Sequence, residues 1–367
     1  MFIEPKYRIK VEDKMRKFEK TITAIIVIIA IITNVFLNCS KVYANASLNQ
    51  VEQRPVRAAV LLRTGDDPYT LLLKQSFEEI QKKNEGKIEF TFYDCKNSQL
   101  IQNQNLDLVL QKGNVDIVLL NLASTEGSQY IINKVKEKNI PVGLFNIEPP
   151  NINSVRSYNK AYFVGTKPEE AGILQGKILI NAWNKDKVLI DRNRDNIMQY
   201  VMLMGPPKNL EAIGRTKYSV LTVNDAGIQT QEIASRVCNW KEDLAREAME
   251  QIFLQNGDKI EVIISNNDAM AIGAIEILQK YGYNKGDKNK TITVVGVDAI
   301  PEAQELIKKG YMTGSVLQDA YSMAEATYEI GMNLVHGRPP LEGTPYKFDD
   351  TGVSVRIPYK EYIANIQ

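Results

Sequence analysis

The stretch EVIISNNDAMAIGA, residues 261–274, changes character at its middle. Its first half is an apolar, β-branched run of strand length, and its second half is an Ala/Met/Ile pattern suited to a helix. Asn266, Asn267 and Asp268 stand at the junction. Asn267 is placed to cap the helix, and Asp268 falls in the first turn, where a negative charge complements exposed N–H groups. A strand handing over directly to a helix is the unit of a parallel α/β sheet. The carboxyl edge of such a sheet is where polar groups face a ligand.

The rest of the chain repeats this unit. VRAAVLL (56–62) precedes a helical stretch from about Pro68 to Asn84, and KIEFTFYD (87–94), VDIVLLN (115–121) and IPVGLFN (140–146) follow with helices between them. The alternation restarts after the Pro/Asn-rich EPPNINS (148–154): YFVGT (162–166), a helix through Trp183, QYVMLMG (199–205), IQTQEIA (228–234), a helix through about Gln255, IEVIIS (260–265) and TITVVGVD (291–298). The pattern predicts two lobes, each a parallel sheet flanked by helices. Asp67, Asn146, Asn267 and Asp298 all fall at strand ends, so two facing edges would line a cleft between the lobes.

Composition agrees with a folded, two-domain chain: 367 residues, 44% hydrophobic and 24% charged. Forty-five basic against 44 acidic side chains leave a net charge of +1, so no global field favours nucleic acid or an anionic membrane surface. Residues 1–46 stand apart. Lys6, Arg8, Lys10, Lys14, Arg16, Lys17 and Lys20 precede AIIVIIAII (24–32), and YANA (43–46) supplies an Ala-x-Ala site. This is the order of a secretory signal, and it predicts export to the periplasm or cell surface with cleavage near Ala46. Lipidation at Cys39 and retention as an anchor are the alternatives, although Asn38 suits lipidation poorly and the strongly apolar run is short of the roughly 20 residues that span a bilayer. Cys95 and Cys238, far apart in sequence, are expected as two free thiols.

Catalytic patterns are weak. The single histidine, His336, sits in a helix-ending context, and the sequence carries no nucleophile elbow, phosphate loop or Cys/His metal spacing. A binding protein is therefore expected ahead of an enzyme. DRNRDNIMQ (191–199) places Asp191, Asn193, Asp195, Ile197 and Gln199 at alternating positions, the spacing with which a short loop wraps Ca2+. Asn196 takes the place where such loops want glycine, and Met202, at the terminal ligand position, cannot ligate. Tyr69 and Trp240 lie near the polar groups, and a sugar ring, polar at its edge and apolar on its faces, suits such a combination.

GDDPY (65–69), FNIEPP (145–150), YFVGT with GILQGK (172–177), the calcium-like loop, NNDAMAIGA, GVDAIPEA (296–303) and GSVLQDA (314–320) together resemble the periplasmic-type sugar-binding proteins, most closely their glucose/galactose-binding members. The resemblance runs from about residue 56 to the end. It implies the two-lobed type I periplasmic binding protein fold, with three hinge crossovers near Val164, Ala320 and Val355. The implied lobes are residues 55–164 plus 320–355 and residues 165–319 plus 356–367. It also implies that Asp67, Asn146, Arg215, Asn267 and Asp298 hydrogen-bond a monosaccharide that Tyr69 and Trp240 sandwich. Asn209, Glu211 and Gln318 join the site as departures from the family's histidine, aspartate and asparagine, and they leave open which pyranose binds. Glu261 matches the family's distant calcium carboxylate. The implied partner is the permease of an ABC importer, with a chemoreceptor or sensor kinase as the alternative, and the protein is expected to act as a monomer.

Overall fold

The computed structural model describes residues 5–48 and 54–364, with side chains described for 13–35 and 54–364. Two compact units separate, residues 1–54 and 55–367.

Among its described residues the first unit is one helix, α1 (Pro5–Leu48). Its segment Asp13–Val35 is long and apolar enough to cross a membrane, a property that signal sequences near an N-terminus share. The strongly apolar run remains AIIVIIAII, and the charge-rich residues 13–20 precede it on the same helix. Thr21, Thr23, Thr33 and Asn34 flank the apolar run, and each donates to a carbonyl one turn back at 2.8–3.1 Å, so that its donor is partnered within the helix. The side chains of Cys39 and Ala46 lie outside the described residues.

In the second unit the chain builds the first lobe from β1 (Val56–Leu62), α2 (Pro68–Lys83), β2 (Ile88–Asp94), α3 (Gln99–Lys112), β3 (Ile117–Leu120), α4 (Ser128–Glu137), β4 (Val142–Phe145), α5 (Asn153–Arg156) and β5 (Ala161–Gly165). It then crosses to the second lobe for α6 (Pro168–Ile190), β6 (Ile197–Met204), α7 (Leu210–Asp225), β7 (Gln229–Val237), α8 (Glu242–Asn256), β8 (Val262–Ser265), α9 (Asp268–Lys280), β9 (Thr293–Asp298), α10 (Pro301–Lys308) and β10 (Gly314–Leu317). α11 (Ala320–Val335) and β11 (Ser354–Arg356) return to the first lobe, and β12 (Lys360–Ile363) ends in the second. The sheet orders are β11-β5-β4-β3-β1-β2 and β12-β10-β9-β8-β6-β7.

One strand departs from the expected parallel arrangement: β12 runs antiparallel to β10. The reason lies in the crossovers. β5, β10 and β11 all end where the chain changes lobe, so β12 starts at that edge and must run away from it. Two elements are also longer than the sequence suggests. α6 continues past Trp183 to Ile190, with a break at Asp186 (φ −130°, ψ 35°). β7 extends to Val237, and its pairing with β6 shifts register where Tyr200 faces Glu232 but Val201 faces Ala234, leaving Ile233 of β7 as the extra residue.

Apolar strand faces bury against helices on both sides of each sheet. In the first lobe Phe77 of α2 meets Phe90 and Phe145 with ring centroids 5.1 and 5.4 Å apart, and Tyr162, fully buried, donates to the Thr327 carbonyl of α11 at 2.5 Å. Each buried aromatic of this size contributes a few kcal/mol.

The junction at 266–268 is built as follows. Asn267 is the N-cap of α9, its side chain accepting the Met270 N–H at 3.0 Å. Asp268 does more than complement the first turn. It is fully buried, and its carboxylate accepts from the Ser315 hydroxyl at 2.6 Å and the Ile300 N–H at 3.0 Å, tying α9 to β10 and to the turn after β9. Gly296 leaves room for it, since a Cβ there would stand 2.1 Å from Asp268 Oδ1. Burial pushes the carboxyl up to about 7. Asp268→Asn would turn an N–H group toward one of two donors, and the expected loss is about 1–3 kcal/mol of unfolding free energy by urea titration. A loss below roughly 0.5 kcal/mol, the usual range for an inconsequential surface change, would show that the tie carries no weight.

Candidate ligand-binding site

The carboxyl edges of both sheets place their polar residues around one cavity. From β1 the chain passes Arg63 to Asp67, the N-cap of α2, whose Oδ1 accepts the Thr70 N–H and hydroxyl at 2.8 and 2.9 Å. Arg63 holds the other Asp67 oxygen in an ion pair at 3.0 Å. Tyr69 follows in the first turn of α2, buried. Asn146, just after β4, adopts φ 65°. The second lobe repeats the device. Asn209 caps α7 and accepts the Ala212 N–H at 3.0 Å, with Glu211 and Arg215 on the turns that follow. Asn267 caps α9, Asp298 ends β9 at φ 113°, and Trp240 follows β7 at φ 69°.

These nine residues and Gln318, in the crossover from β10 to α11, line the cavity, and Arg63 and Ile147 complete its wall. All ten residues that the sequence singled out are therefore brought together. Arg63 and Ile147 were missed. Arg63 reads as the end of a strand, yet its spacing four residues before a capping aspartate on the ligand edge is a usable signal. Ile147 offers none, being one more apolar residue.

Arg215 organises the floor. Its guanidinium donates to the Asn266 carbonyl at 2.8 Å, to Gln318 Oε1 at 2.7 Å and to the Tyr359 hydroxyl at 2.9 Å, and lies 3.7 Å from Asp298 Oδ1. It also stands 5.6 Å from the centroid of the Trp240 ring. Gln318 Nε2 in turn donates to Asn146 Oδ1 at 2.8 Å. Burial raises the Asp298 carboxyl well above the usual range although Arg215 opposes the shift. Burial also pushes Glu211 up to about 7.

Two buried polar atoms of the cavity residues have no protein partner: the donor Arg215 Nε and the acceptor Glu211 Oε2. A hydroxyl both donates and accepts, so a polyhydroxylated ligand can satisfy the pair. By contrast, His336 is exposed at the end of α11, its Nδ1 2.7 Å from the Met332 carbonyl oxygen. Cys95 and Cys238 are buried free thiols, and burial raises Cys95 and pushes Cys238 up to about 11. Neither thiol has the exposure or acidity of a nucleophile.

The loop 191–199 curls on itself. Asp191 accepts the Asp195 and Asn196 N–H groups at 3.0 and 3.1 Å, and Asp195 accepts from the side-chain amides of Asn193 and Gln199, both at 2.8 Å. Arg194 and Asn196 take φ 63° and 64°, supplying the turn where glycine was wanted. Glu261 closes the set, accepting the Arg192 and Gln199 N–H groups at 2.7 and 3.1 Å. Gln199 Oε1 is buried without a partner. Among the described residues no three His, Cys, Asp or Glu side chains could hold a metal by themselves, so an ion here would need the amide and backbone oxygens as well.

The profile of the periplasmic binding protein domain matches residues 58–339. A D-galactose/methyl-galactoside binding periplasmic protein of Haemophilus influenzae is 36% identical over 304 residues, 83% of this chain and 88% of that one. A putative rhizopine-binding protein of Rhizobium meliloti is 26% identical, covering 74% of this chain and 82% of its own. Among solved structures, a periplasmic solute binding protein of an ABC transporter from Actinobacillus succinogenes, with bound D-allose, superposes with a TM-score of 0.70 at 19% identity, covering 84% of this chain and 97% of its own. At that identity the likeness concerns the fold alone.

The raised carboxyls make stability pH-dependent. Glu211 and Asp268 rise from ordinary values near 4 to about 7, so between those pH values the folded chain holds protons that the unfolded chain has released. Their contribution to the stability of the ligand-free protein therefore falls as pH rises through that window. Glu211→Gln should flatten the decline in melting temperature from pH 5 to pH 8, and an unchanged slope would remove Glu211 from the proton count.

Proposed function

Because the chain belongs to the periplasmic binding protein family, we propose that it captures a monosaccharide between its lobes outside the cytoplasm and delivers it to the permease of an ABC importer. The observation that carries this reading is the cavity itself. It is walled by Tyr69 and Trp240 and rimmed by acceptors and amides, and its lining residues include a buried unpartnered donor, Arg215 Nε, and a buried unpartnered acceptor, Glu211 Oε2. The apolar N-terminal helix supports export.

The geometry suggests how binding becomes a signal. Asp67, Tyr69 and Asn146 belong to one lobe and Asn209, Glu211, Arg215, Trp240, Asn267 and Asp298 to the other, so a ligand gripped by both favours the closed arrangement. The exposed Lys208–Glu126 ion pair across the cleft, at 3.0 Å, adds little by itself. The named ligand of the Haemophilus influenzae relative, D-galactose or a methyl-galactoside, supports galactose here, and glucose enters only through the resemblance of the sequence. Glu211 and Gln318, each longer by a methylene than the residue the family was expected to use, line the same cavity and bear on which pyranose fits.

In the same reading, Asp191, Asn193, Asp195, the Ile197 carbonyl, Gln199 and Glu261 hold Ca2+. The unpartnered Gln199 Oε1 supports it, as does the Glu261 carboxyl, which burial raises and the nearby Asp191 and Asp195 charges raise further. Bound calcium would offset most of the charge of three carboxylates and pin the start of β6 to the start of β8, a structural role.

Calorimetric titration of refolded protein against D-glucose, D-galactose, D-xylose and D-ribose tests the first reading. Tight binding of a hexose is expected, and Trp240→Ala should weaken it by about 1–3 kcal/mol. Binding of none of the four would sink the proposed ligand class. For calcium, chelator should lower the melting temperature of the parental protein and leave Glu261→Gln largely unaffected; a parental protein indifferent to chelator carries no calcium there.

A further inference from the structure

The two lobes close their second strands in the same way. The Cys95 N–H donates to the Leu62 carbonyl at 2.9 Å, and the Cys238 N–H donates to the Met204 carbonyl at 2.8 Å. Two left-handed residues follow in each case, Lys96 and Asn97 at φ 50° and 53°, and Asn239 and Trp240 at φ 52° and 69°. The Ser98 and Lys241 N–H groups then return to the Cys95 and Cys238 carbonyls at 2.9 and 2.8 Å. By this equivalence Arg63 in one lobe occupies the place of Gly205 in the other, and Asn97 that of Trp240. The volumes are exchanged: Arg63 donates to Asn97 Oδ1 at 3.2 Å, whereas the indole of Trp240 lies over a glycine.

A Cβ on Gly205 would stand 2.3 Å from Trp240 Cζ2, 2.5 Å from Cη2 and 2.6 Å from Cε2. The backbone that carries the ring is held, so the ring itself must tilt to make room. Its backbone sits in a conformation unusual for a bulky residue, its carbonyl accepts from Asn267 Nδ2 at 3.2 Å, and the Arg215 guanidinium lies against the ring. Neither backbone conformation nor hydrogen bonding requires glycine at this position. Gly205 is absent from the glycines with positive φ, and its N–H donates to Asn266 Oδ1 at 3.1 Å, a bond that alanine keeps.

We propose that Gly205 is a positioning residue: it sets the plane of the Trp240 indole and, through it, the affinity for the sugar. The proposal rests on the reading of Trp240 as a ligand contact. The chain has two tryptophans, so Trp183→Phe leaves Trp240 as the sole indole reporter. In that background Gly205→Ala should keep a near-parental melting temperature, shift the emission and acrylamide quenching of ligand-free Trp240, and weaken D-galactose or D-glucose binding roughly tenfold, the effect of a displaced stacking contact. In a Trp240→Ala background the same substitution should leave affinity unchanged. Unaltered emission in Gly205→Ala, or an equal loss of affinity without the indole, overturns the proposal. Trp240→Ala with parental affinity would instead overturn the contact reading, and the emission shift would still decide whether Gly205 sets the ring. The emission and quenching comparison needs no ligand, so it decides the positioning claim even if neither sugar binds.

Discussion

A buried guanidinium has to be partnered, and the partners of Arg215 are what join the ligand site to the hinges. Leaving such a charge short of hydrogen bonds costs several kcal/mol, so every group that satisfies it is held in place. Gln318 belongs to the second crossover between lobes, and Tyr359 to the third. The Tyr359 hydroxyl lies 2.9 Å from Thr166 Oγ1, in the first. All three chain crossovers therefore meet within two hydrogen bonds of one side chain that also faces the cavity and lies against Trp240. A ligand that engages Arg215 Nε acts on the same cluster that sets how the lobes are joined.

Around that cluster the lobes are two versions of one design. Each uses a capping residue after its first strand, Asp67 or Asn209, and a positive-φ residue after its fourth, Asn146 or Asp298. Divergence between the copies supplies the asymmetry that a sugar requires. Where one lobe carries Arg63 and Asn97, the other carries Gly205 and Trp240, so one rim offers charge and the other a flat face. Local rules are broken at these points, and non-glycine residues with positive φ gather at the ligand edge, which is where strain serves a purpose.

Much of this was legible before any coordinates. The period of the apolar residues gave the alternation of strands and helices, and residues at strand ends, Asp67, Asn146, Asn267 and Asp298, could be named because parallel sheets present their ligand groups there. Asn209, Glu211, Arg215 and Gln318 were reached only through resemblance to a family, since a polar residue in the first turns of a helix or in a crossover has no local signature. Ile147 was missed because one more apolar residue carries no signal, and Arg63 because it reads as the end of a strand, although its spacing before the capping Asp67 was usable. Asp268 was read too modestly: its place in the first turn suggested only a charge set against the exposed N–H groups of α9, and only the neighbouring β10 and the turn after β9 show the buried tie it makes.

By itself the sequence determined what depends on neighbours along the chain: element type, caps, the parallel sense of most strands, and the spacing of oxygens at 191–199. The tertiary structure decided what depends on residues far apart. It reversed β12 because the last crossover delivers the chain at the carboxyl edge, and it brought Glu261 to a loop about 60 residues away and Gln318 onto Arg215. It also made Gly205 the partner of Trp240, a relation of volumes between two side-chain positions on adjacent strand ends. Periodicity carries no record of such contacts, because a contact costs chain entropy set by the whole path between its ends rather than by the residues beside it.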